Sequence, residues 1–143
     1  MDKQFYSRLN LYQKTVIFSV LFTLLGFSYN VWRMEASEKN NNIRTASFEI
    51  LITLSSLEQL VYAAYYDGDK KEGNPRIGWI NVGLINDLSI LTNEKAKRKA
   101  TVLNDVWAEN WQEIANSQTS VNQIVKAIDN VRDEIKLLLY SLE

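Results

Sequence analysis

The residue types that usually perform enzymatic chemistry are scarce in this chain of 143 residues. It contains neither histidine nor cysteine, which excludes histidine acid–base catalysis, cysteine nucleophiles, disulfides and zinc sites of the cysteine–histidine kind. Acidic residues are abundant, but nothing in their pattern places two carboxylates together in an apolar setting. No phosphate-binding loop or catalytic signature is present. We therefore expect a protein that is not an enzyme and that uses no cofactor.

One acidic segment has the composition of a cation-binding loop. Residues 67–74 read DGDKKEGN, so Asp67, Asp69 and Glu72 are possible calcium ligands. An EF-hand loop needs glycine at its sixth position, which is Glu72 here, and two lysines lie inside the segment. The pattern favours a solvated turn between helices, and we expect no metal site.

The overall charge is nearly balanced, with 16 basic and 17 acidic residues and a net charge of −1. This is not the balance of a nucleic-acid-binding protein, so no nucleic-acid partner is expected. A basic run at 94–100, EKAKRKA, has two interpretations. It could bind anionic lipid headgroups or an acidic partner, but a solvated helix face is the more common meaning of such a run.

An apolar segment near the N-terminus predicts where the protein resides. Residues 15–32, TVIFSVLFTLLGFSYNVW, are 18 residues without a charge. At about 1.5 Å per residue, a helix of this length covers roughly 27 Å, close to the ~30 Å of a bilayer core. Lys14 and Arg33 bracket the segment, and Tyr29 and Trp32 lie near its end, as membrane interfaces favour. The sequence predicts a single transmembrane helix.

A cleavable signal peptide and a buried core helix are the competing interpretations of this segment. Lys3, Arg8 and Lys14 would form the basic region of a signal peptide, and Gly26-Phe27-Ser28 its cleavage site. The uncharged length exceeds what a small soluble domain usually buries, which favours a membrane anchor.

The orientation of the span is weakly determined, because three basic residues precede it and three follow closely. The rule that places basic residues inside is therefore tied. The short N-terminal tail favours a cytoplasmic N-terminus, with the remaining chain extracytoplasmic. No Asn-x-Ser/Thr sequon supports a glycosylated ectodomain, and we expect a bacterial inner-membrane protein.

Small and polar residues form a pattern within the apolar segment. They recur at spacings of four, four, three and four, which places them on one helical stripe: Thr15, Ser19, Thr23, Gly26 and Asn30. Such residues allow helices to approach closely in lipid, and asparagine can hydrogen-bond across the contact. The pattern predicts a seam for a partner helix. The alternative is a lone anchor whose hydroxyls bond to carbonyls of their own helix.

Polar segments flank the apolar one on both sides. In residues 1–14, Phe5, Leu9 and Tyr12 share a helical face, which indicates a short interfacial helix or else a frayed terminal tail. Residues 33–46 contain no proline or glycine and form either a polar linker or an extension of the helix.

Residues 47–143 are predicted to form a helical bundle domain. Apolar residues recur at helical spacing within residues 47–66, which predicts the first helix of this domain. Asn74 and Pro75 are expected to start the next helix, because asparagine is a good N-cap and proline suits the first helical position. The predicted apolar face of that helix consists of Ile77, Ile80, Leu84, Leu88 and Leu91. Asn93 is expected to cap the helix that follows.

Tryptophans and glycines are expected to pack together in this domain. Gly78 and Gly83 each cost about 1 kcal/mol in a helix relative to alanine. That cost is tolerated where a bulky ring needs room, and Trp79 and Trp107 are candidate rings. Trp79, Trp107 and Trp111 are either core residues or the aromatics of an interface or ligand pocket.

The last helix has the most regular apolar pattern of the chain. Residues at strict three–four spacing form its heptad seam: Val121, Ile124, Ile128, Val131, Ile135, Leu138 and Leu142. The pattern fits a helix within the bundle, and the alternative is a self-associating coiled coil.

The expected architecture is all-α, with a single N-terminal transmembrane helix and a bundle of about four helices of the antiparallel up-down type. We expect a non-catalytic single-pass membrane protein that acts as an accessory, regulatory or assembly subunit through helix–helix contacts. Its partners would be the lipid bilayer and another membrane protein, or a second copy of itself. The alternatives are a membrane-anchored ligand-sensing bundle and a small immunity or lysis-control protein.

Overall fold

The computed structural model of the chain describes the backbone of residues 2–142 and the side chains of residues 12–142. Within that part the chain is helical and contains no strand, which confirms the predicted all-α class. The elements are α1 (Asp2–Tyr62), a π-helical turn (Ala63–Asp67), α2 (Pro75–Ser89), α3 (Glu94–Asn110), a 3-10 turn (Trp111–Glu113) and α4 (Gln118–Ser141).

Helix α1 contributes to both units into which the chain divides, Met1–Lys39 and Asn40–Glu143. Phe5 and Leu9, from the predicted interfacial face, lie outside the residues whose side chains are described. Residues 33–46, for which the sequence left a linker and a helical extension open, are helical as part of α1.

Nearly all described apolar residues of the first unit are exposed rather than packed in a core. Nearly all side chains of residues 15–32 are exposed, and the rings of Phe18 and Phe22 stack with centroids 6.2 Å apart. An 18-residue window of this helix has a mean hydropathy of 1.5, and none of it is buried within the chain. One helix of the described residues is therefore long and apolar enough to span a membrane.

The helices of the second unit run alternately up and down. Arg44 of α1 contacts the carbonyl of Leu142, and Glu58, farther along α1, contacts Arg132 of α4. Residue numbers therefore increase along α1 in the direction in which they decrease along α4, so these two helices are antiparallel. Short connections reverse the chain between the other neighbours. The last part of α1 and the three following helices form a four-helix bundle.

All four helices contribute apolar side chains to one core. The buried residues are Ile50, Leu54, Leu57, Leu60 and Val61 of α1, Val82 and Ile85 of α2, Ala96, Ala100, Leu103 and Trp107 of α3, and Val121, Ile124, Ile128, Val131 and Ile135 of α4. Burial of each large aliphatic side chain stabilises the fold by about 1.5–3 kcal/mol, which is the main source of cohesion in the bundle.

Helix α2 turns a different face to this core from the one that its apolar pattern predicts. The predicted face is mostly exposed, with Ile80 67% and Leu84 40% accessible to solvent. The residues that α2 buries are Gly78, Val82, Ile85 and Ser89. The physical reason is the ring of Trp107, which packs so closely on Gly78 that a Cβ there would overlap it. The prediction for this face was therefore wrong.

Side chains at the helix starts confirm the predicted caps. The amide oxygen of Asn74 accepts a hydrogen bond from the backbone N–H of Arg76 at 3.0 Å. Asn93 accepts one from Ala96 at 2.7 Å, and Ser117 caps α4. Each cap satisfies a backbone donor that the first helical turn leaves free, which fixes where the helix begins.

Candidate functional site

The predicted membrane seam lies on one exposed stripe of α1. The hydroxyl of Ser19 donates to the carbonyl of Thr15 at 2.9 Å, and that of Thr23 donates to the carbonyl of Ser19 at 2.8 Å. These bonds satisfy the hydroxyls within their own helix. Asn30 is exposed, and a Cβ at Gly26 would meet no other atom within 4 Å. The stripe is open to the approach of a second helix.

The heptad seam of α4 lies in the bundle core. Its buried members are Val121, Ile124, Ile128, Val131, Ile135 and Leu138. Leu142 follows the helix and is partly buried, and its carbonyl accepts a hydrogen bond from Arg44 at 2.7 Å. Of the two interpretations of this pattern, the structure corresponds to the bundle helix, because buried side chains are not available to a second copy.

The three candidate tryptophans meet in one cluster. The ring of Trp79 lies edge-on to Trp107 and to Trp111, with centroids 6.4 and 6.5 Å apart and interplanar angles of 88° and 67°. Pairs of this geometry add about 0.5–1.5 kcal/mol beyond their area burial. Trp107 is fully buried, whereas Trp79 is 39% exposed. The cluster extends from the core to the surface.

Trp107 explains a glycine of α2. A Cβ at Gly78 would overlap the Trp107 ring, which confirms the expectation that a bulky ring needs room at this glycine. Gly83 has open space instead. The indole N–H of Trp107 is buried, and no described residue accepts a hydrogen bond from it. The ring is thus held by shape rather than by polar contacts.

A cavity of ≈ 540 Å³ opens at the end of the bundle where α1 leads into α2 and α3 leads into α4. Tyr65, Pro75, Trp111 and Ile114 provide apolar walls, and Lys70 lies at the cavity with other polar groups. Of the three tryptophans, only Trp111 lines it. Cavities of roughly 300–1,000 Å³ with mainly apolar walls and few polar groups are suited to small molecules.

The acidic segment considered for calcium forms a turn. The carboxylate of Asp69 accepts hydrogen bonds from the backbone N–H groups of Lys71 and Glu72, at 2.8 and 3.1 Å. Gly68 has φ +61°, a left-handed conformation that glycine adopts without strain. Among the described residues, no three acidic side chains are arranged to hold a metal ion. The segment reverses the chain between α1 and α2.

A network of charges ties α1 to α4. The guanidinium of Arg132 contacts the carboxylates of Glu58 and Asp129, each at 2.5 Å. The hydroxyl of Tyr62 donates to Glu58 at 3.2 Å. Burial, together with this hydrogen bond and the negative charge of Glu58, raises the pKa of Tyr62 above its usual value.

The charged side chains of the basic run are exposed on α3: Lys95, Lys97, Arg98 and Lys99. Ala96 and Ala100 of the same run are buried in the core. Lys97 lies 3.8 Å from Glu94, and an exposed pair of this kind contributes about 0–1 kcal/mol. The run is the solvated side of an amphipathic helix.

Sequence reasoning missed an exposed apolar surface shared by α1 and α2. We define the α1/α2 face as Ile52 of α1, Ile77, Ile80 and Leu84 of α2, and Leu91 in the turn after α2, all of which are exposed. The signal that could have revealed it is the surplus of apolar residues on both helices. Each helix has more of them than one core-facing stripe requires, so a second stripe remains outside.

A groove between the two helices runs beside this face. At one end it is lined by Thr45 and Glu49 of α1 with Leu91, which follows α2. At the other end it is lined by Ser56 of α1 with Ile77 of α2. Its lining combines polar and apolar side chains.

Comparison of the chain with protein-family models, with curated proteins and with solved structures gave no match.

Proposed function

We propose that this chain is a non-catalytic single-pass membrane protein that serves as an accessory, regulatory or assembly subunit of a membrane complex. The observation that carries the proposal is the apolar stretch of α1. Nearly all its side chains over residues 15–32 are exposed although most are apolar, and none of its most apolar window is buried among the described residues. A bilayer would cover them, because the length of this helical segment matches the thickness of the hydrocarbon core.

The contacts of such a subunit would be helix–helix contacts. In lipid, the stripe from Thr15 to Asn30 would let a partner helix approach closely, because Gly26 has no side chain and the hydroxyls of Ser19 and Thr23 are already hydrogen-bonded within α1. Outside the lipid, the α1/α2 face offers a second apolar surface. We propose a cytoplasmic N-terminus, with the bundle on the outer side of a bacterial inner membrane. An immunity or lysis-control protein is one form that this role would take.

Detergent extraction of the full-length protein from its native cells, followed by mass analysis of what accompanies it, tests this proposal. An intact N-terminus in the membrane fraction and a stoichiometric membrane partner would support it. A shortened N-terminus in the soluble fraction would contradict it in favour of a signal sequence.

The role of the seam has its own matched test. Replacing Ser19, Thr23 and Gly26 with leucine should remove the co-extracted partner, because the bulky side chains block close approach. The control exchanges Ile17→Leu and Leu24→Ile on the opposite face, which should leave the partner in place. A partner that survives the seam variant would show that this stripe is not the contact.

A membrane-anchored ligand-sensing bundle is a second candidate, favoured by the cavity beside Trp111. A ligand in that cavity would stabilise the bundle by mass action and raise its melting temperature. A screen of small molecules against the full chain, repeated with Ala115→Phe to fill the cavity, tests it. A melting shift that Ala115→Phe abolishes would support the sensor, and a shift that survives would place the ligand elsewhere.

A further inference from the structure

Two exposed charges flank the α2 part of the α1/α2 face at its opposite ends. Arg76 precedes Ile80 by one turn and Asp87 follows Leu84 by three residues, so both lie beside the apolar stripe. Each opposes the dipole of α2, which favours acidic side chains in the first turn and basic ones in the last. No described residue forms an ion pair with either of them. Their placement costs the isolated chain stability, which opposite charges on a partner would offset.

The residues around the groove outside α2, in the 68–74 turn and on α1, have the same polarity. Lys71 and Glu72 lie beside Ile77, so with Arg76 that end of the face carries a net positive charge. Glu49 lies at the other end of the groove, where Asp87 adds a second negative charge. The face is therefore positive at one end and negative at the other.

The shape of the face fits one helix. Thr45, Glu49, Ile52 and Ser56 form one row along α1, since residues spaced by three and four share a side of a helix. Thr45, Glu49 and Ser56 line the groove, so Ile52 lies beside it as well. From Ile77 to the end of α2 at Ser89 the helix extends for about 18 Å, and the turn that holds Leu91 continues the face to roughly four helical turns. A third helix seated against both walls would cover all of its exposed apolar residues.

We infer that the α1/α2 face binds one amphipathic helix of a partner protein, about four turns long, with acidic residues in its first turn and basic residues in its last. Its N-terminal end lies at Arg76 and Lys71, and its C-terminal end lies at Asp87 and Glu49. This charge order is the one that the dipole of the incoming helix itself favours. The inference rests on the proposed function, because a helix-binding face belongs to a subunit of an assembly.

Other occupants are separated by the test below. A second copy packed in parallel through this face would place Arg76 against Arg76 and Asp87 against Asp87, whereas an antiparallel copy would pair Arg76 with Asp87 and would show itself as self-association of the chain. An anionic lipid surface would meet the carboxylates of Glu49 and Asp87, which it repels. A helix of opposite polarity satisfies both ends of the face at once.

Two synthetic helical peptides of about 18 residues test the inference. Both have leucine at three–four spacing along one side and alanine and glutamine elsewhere. One has glutamates in its first turn and lysines in its last, and the other has these charges exchanged. Each is fluorescently labelled and titrated with the full chain in detergent micelles, with empty micelles as the blank. The first peptide should bind about fivefold or more tightly than the second, from a few exposed charge pairs.

Charge-reversed and apolar variants separate binding from folding. Arg76→Glu with Asp87→Lys should reverse the preference between the peptides, and it should raise the melting temperature, because both charges then match the dipole of α2. Ile80→Asp with Leu84→Asp should abolish binding of both peptides. Val102→Asp, an equally exposed apolar site on α3, should leave binding unchanged.

Three results would overturn the inference: no binding of either peptide, equal affinity for both, or a preference that the charge-reversed variant keeps. A fourth is self-association of the chain that Ile80→Asp with Leu84→Asp converts to monomer, since a second copy would then occupy the face. The titration requires neither membrane insertion nor the seam at Ser19. If neither peptide binds but the seam variant still loses its membrane partner, this inference fails while the proposed function stands.

Discussion

Helices α2 and α4 carry apolar stripes of similar spacing, yet they use them in opposite ways. The stripe of α4 from Val121 to Leu138 faces the core of the bundle. The stripe of α2 from Ile77 to Leu84 is exposed to solvent, as is Leu91 after the helix, and a row that contains a glycine and a serine faces the core instead. Periodicity therefore identifies a helix in both cases but identifies the buried face in only one.

The difference comes from what each helix has to fit. On α4 the opposite side is polar and charged, so only one face can be buried. Helix α2 has two usable faces, and the large ring of Trp107 selects the one where Gly78 leaves room for it. Close packing around one bulky ring outweighs the burial of a few more aliphatic atoms. The apolar stripe of α2 that does not enter the core is available for binding.

The largest expected difference in stability is between alanine substitutions at two isoleucines, one on each helix. Ile128→Ala on α4 should lower the free energy of unfolding by about 2–5 kcal/mol, because it leaves a cavity in the core. Ile80→Ala on α2 should change it by less than about 0.5 kcal/mol, since the side chain is exposed. Denaturant unfolding of the full chain in micelles measures both. Similar losses in the two variants would mean that the α2 stripe is buried in solution.

Two glycines of α2 give a sharper version of the same contrast. Gly78→Ala should destabilise the chain by about 1–3 kcal/mol, because the added methyl overlaps the Trp107 ring. Gly83→Ala should stabilise it by up to about 1 kcal/mol, since alanine favours the helix and nothing lies near its Cβ. Thermal melts of both variants test the pair. A gain in melting temperature for Gly78→Ala would remove our explanation of the face that α2 buries.

Much of the fold follows from local signals in the sequence. Asn74 and Asn93 were identifiable as caps because their side chains satisfy backbone donors a few residues away. The core face of α4 was identifiable because its apolar residues form a single stripe. The core face of α2 was not identifiable, because it depends on Trp107. The position of this ring relative to α2 is set by tertiary packing and not by local sequence. For the same reason the surplus of apolar residues on α1 and α2 indicates that a second stripe exists but does not show which stripe remains outside.

Helices α4 and α2 also differ in how an arginine side chain contributes to stability. Arg132→Gln should destabilise the chain by about 1 kcal/mol, because it breaks the contacts with Glu58 and Asp129 that tie α4 to α1. Arg76→Gln should be neutral or stabilising by about 0.3–1 kcal/mol, since it removes an unpaired cation from the first turn of α2. Urea unfolding at low and at high salt measures both. An equal loss in the two variants would imply that Arg76 has a partner within the bundle.

The smallest expected effect is a dependence on alkaline pH at the α1–α4 contact. The pKa of Tyr62 is raised from the usual 10.0 by burial and by its hydrogen bond to Glu58. Above pH 10 the unfolded chain loses this proton while the folded chain keeps it, so the folded state binds more protons and stability falls as pH rises. Tyr62→Phe should make that decline shallower without moving stability near neutral pH by more than about 0.5 kcal/mol. Parallel urea titrations between neutral pH and pH 11 would show it. Identical slopes in the two proteins would mean that Tyr62 ionises equally easily in both states, and that the Glu58 contact does not hold its proton.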